Sequence, residues 1–454
     1  MNETWTSLAY LLAAVCFIVA LKGLSSPRRA RAGNLAGAAG AVIAVVVTFV
    51  DAGTSNLPYI LAALVVGGGA GAVAARRVAM TGMPQMVAVF NGVGGAAGTL
   101  VALVELSSGD PSRGEVAVGA FTVLIGAVTF SGSMLTFAKL QELMTGRPVV
   151  FPGMRWAAVL LVIATLVPGV WTALDGPVAA AAVLAVLSLV AGVFLVLPVG
   201  GADVPIVISL LNAFSGITVA AGGYVLGNTL LIVAGTLVGA SGILLTRLMA
   251  SAMGRSVVNI LFGAFAGTTL GGGTATDRPV RSAGPEDIAI LLGYARKVIM
   301  APGYGLAVAQ GQHALGDLAE ELGRRGVEVL YAVHPVAGRM PGHMNVLLAE
   351  ADVPYERLKE MDVVNPEFRT ADIALVVGAN DVVNPAARTV PGSPIYGMPI
   401  LDADQARSIV FLKRSLRPGF AGIENELLHD PKTTLLFGDA KDSLTRLLAA
   451  LKNV

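Results

Sequence analysis

Long runs of apolar residues, separated by short polar connections, occupy the first part of this 454-residue chain. Apolar runs of about 17–25 residues are long enough to cross a bilayer as helices. The pattern predicts about nine spans, at residues 4–21, 35–50, 57–75, 86–106, 116–138, 156–174, 178–197, 204–221 and 229–249. We therefore expect a polytopic α-helical membrane bundle over residues 1–265.

A different pattern begins near residue 270. Glycines at 271–273 and prolines at 279 and 285 predict a flexible linker over residues 266–285. Over residues 286–454, short apolar runs alternate with helical stretches such as 307–325 and 441–451. The runs lie at 298–301, 327–333, 371–377, 409–412 and 434–437. This alternation predicts a Rossmann-like, doubly wound parallel-sheet α/β domain that binds ligands beyond the carboxyl ends of its strands.

Composition and charge narrow the choice of function. Hydrophobic residues make up 55% of the chain and charged residues 13%, about half the charge of a soluble domain. The net charge of +1 gives no basic field for nucleic acid. The single cysteine, Cys16, excludes an internal disulfide, and the four histidines form no i, i+4 pair for a metal. We expect no metal site.

Basic residues distinguish the two sides of the membrane. Loops after the odd-numbered spans carry many lysines and arginines, whereas loops after the even-numbered spans carry only Arg113. By the positive-inside rule, the N-terminus is expected outside and the C-terminal domain in the cytoplasm.

A glycine turn follows the first apolar run of the soluble domain. Gly303, Tyr304 and Gly305 are followed three residues later by Val308. Glycine permits a tight turn and lets backbone amides approach a pyrophosphate at a helix N-terminus. Because the motif lies between a strand and a helix, it favours dinucleotide binding, although a glycine-rich connection in another α/β domain would look similar.

The ends of the other strands suggest which dinucleotide binds. An acid that binds the ribose 2′-hydroxyl of NAD normally ends the second strand, but here that strand ends in His334. Lys413, Arg414 and Ser415 follow the run at 409–412 and suit a 2′-phosphate. We therefore expect NADP(H), with a solvated basic turn as the alternative.

Two further segments adjoin this edge of the sheet. Residues 336–345 are rich in Gly and Pro and long enough to cover a ligand. Residues 378–381 place the carboxylate of Asp381 at the cleft. A turn-capping aspartate is the alternative for Asp381.

Polar residues inside the spans suggest a transport pathway. Asn91, Ser131, Ser133 and Asn212 lie in apolar surroundings, and Asp203 stands at the mouth of the eighth span. Polar groups in lipid are costly unless paired or hydrated, so we expect a pathway. Hydrogen bonds between helices are the alternative. No span carries Asp, Glu or His near its centre, so a proton relay would need a titrating group from another subunit.

Taken together, these motifs resemble those of the β subunit of bacterial proton-translocating nicotinamide nucleotide transhydrogenases. The resemblance rests on residues 83–88, 131–133, 197–203, 211–216, 301–305, 334–350, 378–385 and 438–441, which span the chain.

The resemblance implies a subunit of a membrane enzyme, an oxidoreductase and translocase. One or more partner α subunits would carry the NAD(H) domain, and this chain would bind NADP(H). Hydride would pass directly between the nicotinamides, coupled to proton movement (NADH + NADP+ + H+ out → NAD+ + NADPH + H+ in). The αβ unit would form a homodimer in the bilayer of the bacterial inner membrane, with no nucleic-acid partner.

The resemblance also implies site residues. The NADP(H) site would comprise Gly303, Tyr304, Gly305, Val308, Val336, Ala337, Gly338, Arg339, Met340, Pro341, Gly378, Ala379, Asn380, Asp381, Gly397, Met398, Lys413, Arg414, Ser415, Gly419, Phe420, Asp439 and Ala440. No side chain would act as acid or base in the chemical step, but Asp381 would link the nucleotide site to protonation. Asn91, Ser133 and Asn212 would line the proton path, with Asp203 at its cytoplasmic side.

Two positions depart from the pattern of this family. Several members have a histidine where this chain has Asn91, so we hypothesise that the α partner contributes the histidine that carries the proton. Phe420 stands where the family often has Tyr, so packing over the cofactor is expected to survive without the hydroxyl hydrogen bond.

Two other functions explain part of the sequence. A transporter or channel whose cytoplasmic domain senses a dinucleotide, without hydride transfer, would also combine these domains. The sequence shows neither a Thr-Val-Gly-Tyr-Gly filter nor a convincing inverted repeat. A membrane-anchored NADP reductase that does not pump would not need nine spans.

Overall fold

The computed structural model describes residues 3–25, 29–51, 56–108, 112–145, 148–174, 176–200, 203–254, 256–262, 278–338, 342–391, 393, 395–419 and 421–454. The chain divides into two compact units, which are treated separately. Residues 263–277, which include the larger part of the linker expected at 266–285, lie outside the described residues, as do Arg339, Met340, Pro341 and Phe420.

Nine helices among the described residues are long and apolar enough to cross a membrane, which confirms the predicted helical bundle. They are α1 (Glu3–Leu24), α2 (Ala30–Asp51), α3 (Leu57–Arg77), α4 (Met83–Ser108), α5 (Arg113–Leu140), α6 (Met154–Ala173), α7 (Val178–Val196), α8 (Val204–Val225) and α9 (Thr229–Ala252). The shortest has 19 residues and the longest 28, which at about 1.5 Å per residue suits a hydrocarbon layer of about 30 Å. The chain is a membrane protein.

Small residues bring the membrane helices into backbone contact. A Cβ atom added to Gly235 in α9 would lie 2.3 Å from the backbone N of Ala220 in α8. In lipid no hydrophobic force drives helices together, so such close van der Waals contact supplies the association. At this pair of helices, glycine is therefore needed for packing.

Side chains at both ends of α5 cap helix termini, one its own and one that of α7. At its start, Ser112 and Glu115 form a reciprocal capping box, in which the Ser112 N–H donates to Glu115 Oε2 at 2.8 Å. At its end, Lys139 is buried and donates to the carbonyl oxygens of Val196 and Leu197 at 3.0 and 2.8 Å. The ammonium group therefore caps the C-terminus of α7, where helix carbonyls lack partners within the helix.

The C-terminal domain is built on one parallel sheet. Its strands are β1 (Lys297–Pro302), β2 (Glu328–Val333), β3 (Leu358–Glu360), β4 (Ile373–Val377), β5 (Ser408–Lys413) and β6 (Thr433–Phe437). The spatial order is β3-β2-β1-β4-β5-β6, and every pair is parallel. The order reverses between β1 and β4, where α/β folds of this class bind ligands. The Rossmann-like prediction is confirmed.

Helices cover the sheet, and each face has its own core. The remaining helices are α10 (Val257–Phe262), α11 (Pro285–Gly293), α12 (Tyr304–Val308), α13 (Gln312–Arg324), α14 (His343–Glu350), α15 (Met361–Val364), α16 (Ala386–Thr389) and α17 (Ala440–Lys452). Met300 of β1 packs on the face covered by α11, α13 and α17, whereas its neighbour Ile299 belongs to the core of the opposite face, which also contains Phe368. Alternate strand residues therefore serve opposite layers.

Three local features differ from the sequence expectations. The expected helix at 307–325 is divided into α12 and α13, with Gln310 in the left-handed region at φ +51°. The three-residue strand β3 was not foreseen. Residues assigned to the linker pair with β6, since the Ala283 N–H donates to the carbonyl of Leu435 at 3.0 Å.

Candidate functional site

The turn after β1 and the turn after β4 pack backbone to backbone where the strand order reverses. The Gly303 N–H donates to the carbonyl of Val377 at 2.9 Å, and the Gly305 N–H donates to that of Gly378 at 2.8 Å. A Cβ atom at Gly303 would lie 2.4 Å from Cα of Ala379. The glycines are therefore required for the contact between these two turns, in addition to any role in approaching a ligand.

A polar cluster joins the ends of β4 and β5. Lys413 Nζ donates to Asn380 Oδ1 at 2.9 Å and to the carbonyl of Arg417 at 2.9 Å. Asn380 Nδ2 donates in turn to Asp381 Oδ1 at 3.0 Å. The amide of Asn380 therefore connects the ammonium group of Lys413 with the carboxylate of Asp381.

The carboxylate of Asp381 also holds the segment that follows β5. The Ala421 N–H donates to Asp381 Oδ2 at 2.8 Å. A Cβ atom at Gly419 would lie 2.4 Å from Asp381 Oδ1, so only glycine fits there without displacement. Glycine at position 419 thus allows the backbone to lie close to the carboxylate of Asp381.

Burial changes the acidity of Lys413. Removal from water lowers the pKa of its ammonium group to about 8, against the opposing attraction of the Asp381 carboxylate. Arg414 and Ser415, the next two residues, are exposed. The end of β5 thus presents one partly buried amine and two exposed donors, a set that can bind a phosphate.

Two buried asparagines fasten the far end of the same segment. Asn425 Nδ2 donates to the carbonyl of Asn380 at 3.0 Å, and Asn384 Nδ2 donates to that of Glu424 at 2.9 Å. Both side chains are at most 2% exposed. Sequence reasoning missed both residues; only the Asn-Pro pair at 384 and 385 gave a local signal, that of a turn.

The end of β2 carries a neutral histidine where NAD-binding domains carry an acid. His334 is buried, and burial lowers its pKa to about 4. Its Nε2 lies 2.8 Å from the carbonyl oxygen of Pro399, so it lies beside the expected pair Gly397 and Met398. Met398 is buried, and Gly397 has a φ of +81°.

The segment after β2 folds back on itself. Val336 is half-buried and Ala337 is buried. At Gly338, with φ +102°, a Cβ atom would lie 2.6 Å from Nδ1 of His343. The imidazole of His343 therefore covers this glycine at the start of α14.

The remaining expected residues lie at the edges of the site. Tyr304 is half-buried in α12, and Val308 is 46% exposed. Asp439 caps α17, since its Oδ1 accepts from the Lys441 N–H at 3.0 Å, and Ala440 is buried. Gly438 connects this turn with the end of β5, because its N–H donates to the carbonyl of Lys413 at 3.1 Å. The ends of β1, β4, β5 and β6 thus converge.

In the membrane unit, two of the expected path residues lie on facing helices. A Cβ atom at Gly92 would lie 3.4 Å from Cβ of Ser133, so α4 and α5 meet beside Asn91. Both Asn91 and Ser133 are buried, and their atoms Nδ2 and Oγ have no hydrogen-bond partner among the described residues. Other hydroxyl groups in these helices, such as that of Thr129, donate to a carbonyl one turn earlier.

Helix α8 completes this polar group. Ser215 Oγ donates to the carbonyl of Asn91 at 3.3 Å, a contact that the sequence did not reveal. Asn212, one turn earlier, is half-buried. Asp203 directly precedes α8 and is half-buried. Asn91 and Ser133 thus each hold a buried polar atom without a described partner, which is costly in an apolar bundle.

The fold and these strand ends define a class: a polytopic membrane protein that carries a Rossmann-type domain. The family model described as NAD(P) transhydrogenase beta subunit matches residues 6–450. The chain is also 46% identical over 463 aligned residues to the protein named NAD(P) transhydrogenase subunit beta from Rhodospirillum rubrum. The alignment covers 99% of this chain and 100% of that relative. The protein of that name from a designated strain of the same species has the same identity and coverage. The chain belongs to the NAD(P) transhydrogenase beta subunit family.

Membership has two direct consequences. A transhydrogenase acts on nicotinamide nucleotides, so the family involves this class of cofactor. A beta subunit has an alpha partner. The resemblance stated from the sequence is therefore confirmed at the level of the family.

Proposed function

We propose that this chain binds NADP(H), exchanges hydride with NAD(H) on a partner α subunit, and couples this exchange to proton movement across the membrane. The observation that carries the proposal is the cluster of Lys413, Asn380 and Asp381 beside the glycine turns of the sheet. It combines phosphate-binding donors with a carboxylate in one hydrogen-bonded group.

The donor set favours the phosphorylated coenzyme. Lys413, Arg414 and Ser415 offer only cations and a hydroxyl group at the end of β5, which suits a 2′-phosphate. His334 is neutral at the end of β2 and so brings no negative charge that would repel the phosphate. Nicotinamide supplies the carbon that gains or loses hydride, and the chain orients it and excludes water.

The polar group in the membrane unit supports proton movement. Asn91 and Ser133 keep polar atoms in an apolar bundle, where unsatisfied groups are costly. Hydration of these atoms would give a chain of water between α4, α5 and α8. Asn91 and Ser133 do not titrate, so the group that carries the charge would come from the α partner.

Asp381 would couple the two halves of the reaction. Its carboxylate accepts from the Ala421 N–H, so a change in its protonation alters how the segment after β5 is held. We expect the αβ unit to lie in the inner membrane of a bacterium as a homodimer, with the NADP(H) domain in the cytoplasm.

Hydride exchange in sealed vesicles tests the proposal. The complex of this chain with its α partner is reconstituted with NADH outside, an NADP analogue outside and a pH dye inside. We expect exchange to change the internal pH and an uncoupler to accelerate the exchange. Exchange without a pH change would reject proton coupling, and absence of exchange would favour a nucleotide-sensing transporter.

A pair of lysine variants tests the nucleotide assignment. Lys413→Ala should weaken NADP(H) binding by about tenfold or more, because a charge-assisted hydrogen bond contributes about 1.5–3 kcal/mol. Binding of NAD(H) to the partner should not change. Lys452→Ala, at the exposed end of α17, is the matched control. Equal loss of both nucleotides in Lys413→Ala would contradict the assignment.

A further inference from the structure

His334 is a buried titratable residue that the proposed hydride and proton steps do not use. It directly follows β2, and 1% of its surface is exposed. Its Nε2 lies 2.8 Å from the carbonyl oxygen of Pro399, and its Nδ1 lies 3.2 Å from the backbone N of Val336. Both ring nitrogens are therefore engaged by backbone groups.

These two contacts define the state of the ring. A backbone N–H can only donate, so Nδ1 accepts from Val336 and carries no hydrogen. A carbonyl oxygen can only accept, so the hydrogen lies on Nε2 and is donated to Pro399. Burial lowers the pKa of His334 to about 4, which agrees with a neutral ring. The imidazole is thus a fixed bridge.

The bridge joins two segments that are far apart in sequence. The turn at 336–338 follows the ring, and Gly397 and Met398 precede the carbonyl that it binds. His334 and Pro399 are 65 positions apart. Pro399 has no N–H of its own to donate. On the next residue, the carbonyl of Ile400 accepts from Asn365 Nδ2 at 3.0 Å, so side chains hold this segment from two directions.

The same segment leads to the turn after β4. The Leu401 N–H donates to the carbonyl of Val382 at 2.9 Å, next to Asp381. A displacement of Pro399 would therefore reach the backbone beside the carboxylate through one further hydrogen bond.

We propose that His334 is a positioning residue of the NADP(H) site, which as its Nε2–H tautomer fixes the spacing between the 336–338 turn and the 397–399 segment. This inference rests on the proposed function. It assigns a role to a residue whose two ring nitrogens both bind backbone groups of this chain.

Two substitutions separate the two hydrogen bonds of the ring. His334→Gln retains an amide donor that reaches Pro399 but loses the acceptor for Val336. His334→Asn retains an acceptor for Val336 but is too short to reach Pro399. In the complete αβ complex we expect His334→Asn to raise the KM for NADPH about tenfold, equivalent to 1.4 kcal/mol. His334→Gln should stay within about threefold of the parent KM.

The KM for NAD(H) provides a readout that separates a positioning role from a purely structural role in the core. We expect the NAD(H) KM to remain unchanged in both variants. His429→Asn and His429→Gln, at a half-buried histidine before β6, are matched controls without effect on either KM. If His334→Asn and His334→Gln have the same NADPH KM, or if both nucleotides are affected equally, the positioning role is overturned.

A second site keeps the test independent of how well His334→Asn folds. Asn365→Asp replaces the donor to the carbonyl of Ile400 with an acceptor and should also raise the NADPH KM. An unchanged KM in this variant would overturn the idea that the position of the 397–399 segment sets affinity. Failure of the parent complex to bind NADPH would instead reject the proposed function.

Discussion

The affinity for NADPH should fall as pH rises through about 8, because Lys413 loses its charge there. In the free protein, burial holds the pKa of this amine near 8, whereas an ordinary lysine titrates at 10.5. A bound 2′-phosphate would place negative charge beside the ammonium group and raise its pKa again. Between the two values, the complex holds a proton that the free protein has lost, so binding takes up a proton.

The size of the effect follows from this linkage. Where binding takes up one proton, the dissociation constant rises up to tenfold per pH unit. With a free pKa of about 8, the dissociation constant should therefore rise by roughly 15-fold from pH 8 to pH 9.5, and below about pH 7 the titration of Lys413 should no longer change it. The direction would be opposite if the phosphate favoured the neutral amine.

Titration of the complete αβ complex with NADPH, followed by its fluorescence at several pH values, measures the slope. Lys413→Met should bind weakly with an almost flat profile, whereas Lys452→Met should keep the parent slope. Asp381→Asn should move the midpoint below pH 8, since the carboxylate raises the pKa of Lys413. A flat profile in the parent, or an unchanged slope in Lys413→Met, would refute the reasoning.

Three further predictions address other parts of the molecule. Gly303→Ala should lower stability by about 1–3 kcal/mol in thermal unfolding, because the added Cβ would lie 2.4 Å from the turn after β4, while Gly323→Ala in helix α13 should be neutral or stabilising. Asn384→Leu should lower the free energy of unfolding by about 1–3 kcal/mol and make the segment after β5 more sensitive to protease, because the half-buried Glu424 would lose the donor to its carbonyl. Asn453→Leu, at the exposed chain end, is the control and should change neither. Removing every intramembrane histidine of the α partner should abolish pumping in vesicles, and continued pumping would show that Asn91 does not need a titrating neighbour there.

The sequence predicts the architecture well because its signals are local. Nine apolar runs correspond to nine described helices, and five of the six strands coincide with apolar runs bounded by glycine, proline or polar residues. Strand β3 escaped because it has three residues, Leu358–Glu360, of which two are charged. The break between α12 and α13 escaped because a left-handed Gln310 leaves no pattern in an otherwise helical stretch.

The site is predicted less completely because its contacts are long-range. The glycines of the 303–305 turn can be recognised from the sequence. Their contacts with the turn after β4, however, join positions more than 70 residues apart, as in the hydrogen bond between Gly305 and Gly378. Likewise, no local pattern connects Asn425 to Asn380 or His334 to Pro399. Only folding of the parallel sheet brings these residues together, at the shared edge where the strands end.

The magnitudes indicate how large a rearrangement coupling requires. Moving one charge through about 100 mV supplies about 2.3 kcal/mol. This energy must become a difference between the NADP+ and NADPH affinities of two states, which for one proton amounts to about 50-fold. A hydrogen bond to a charged group contributes about 1.5–3 kcal/mol, the same range. We infer that making or breaking the bond from the Ala421 N–H to Asp381 is sufficient, so the two states need differ only in how the 413–421 segment is held. The close approach of Gly419 to the same carboxylate would transmit a change in the protonation of Asp381 to that segment, because movement of the carboxylate would displace it.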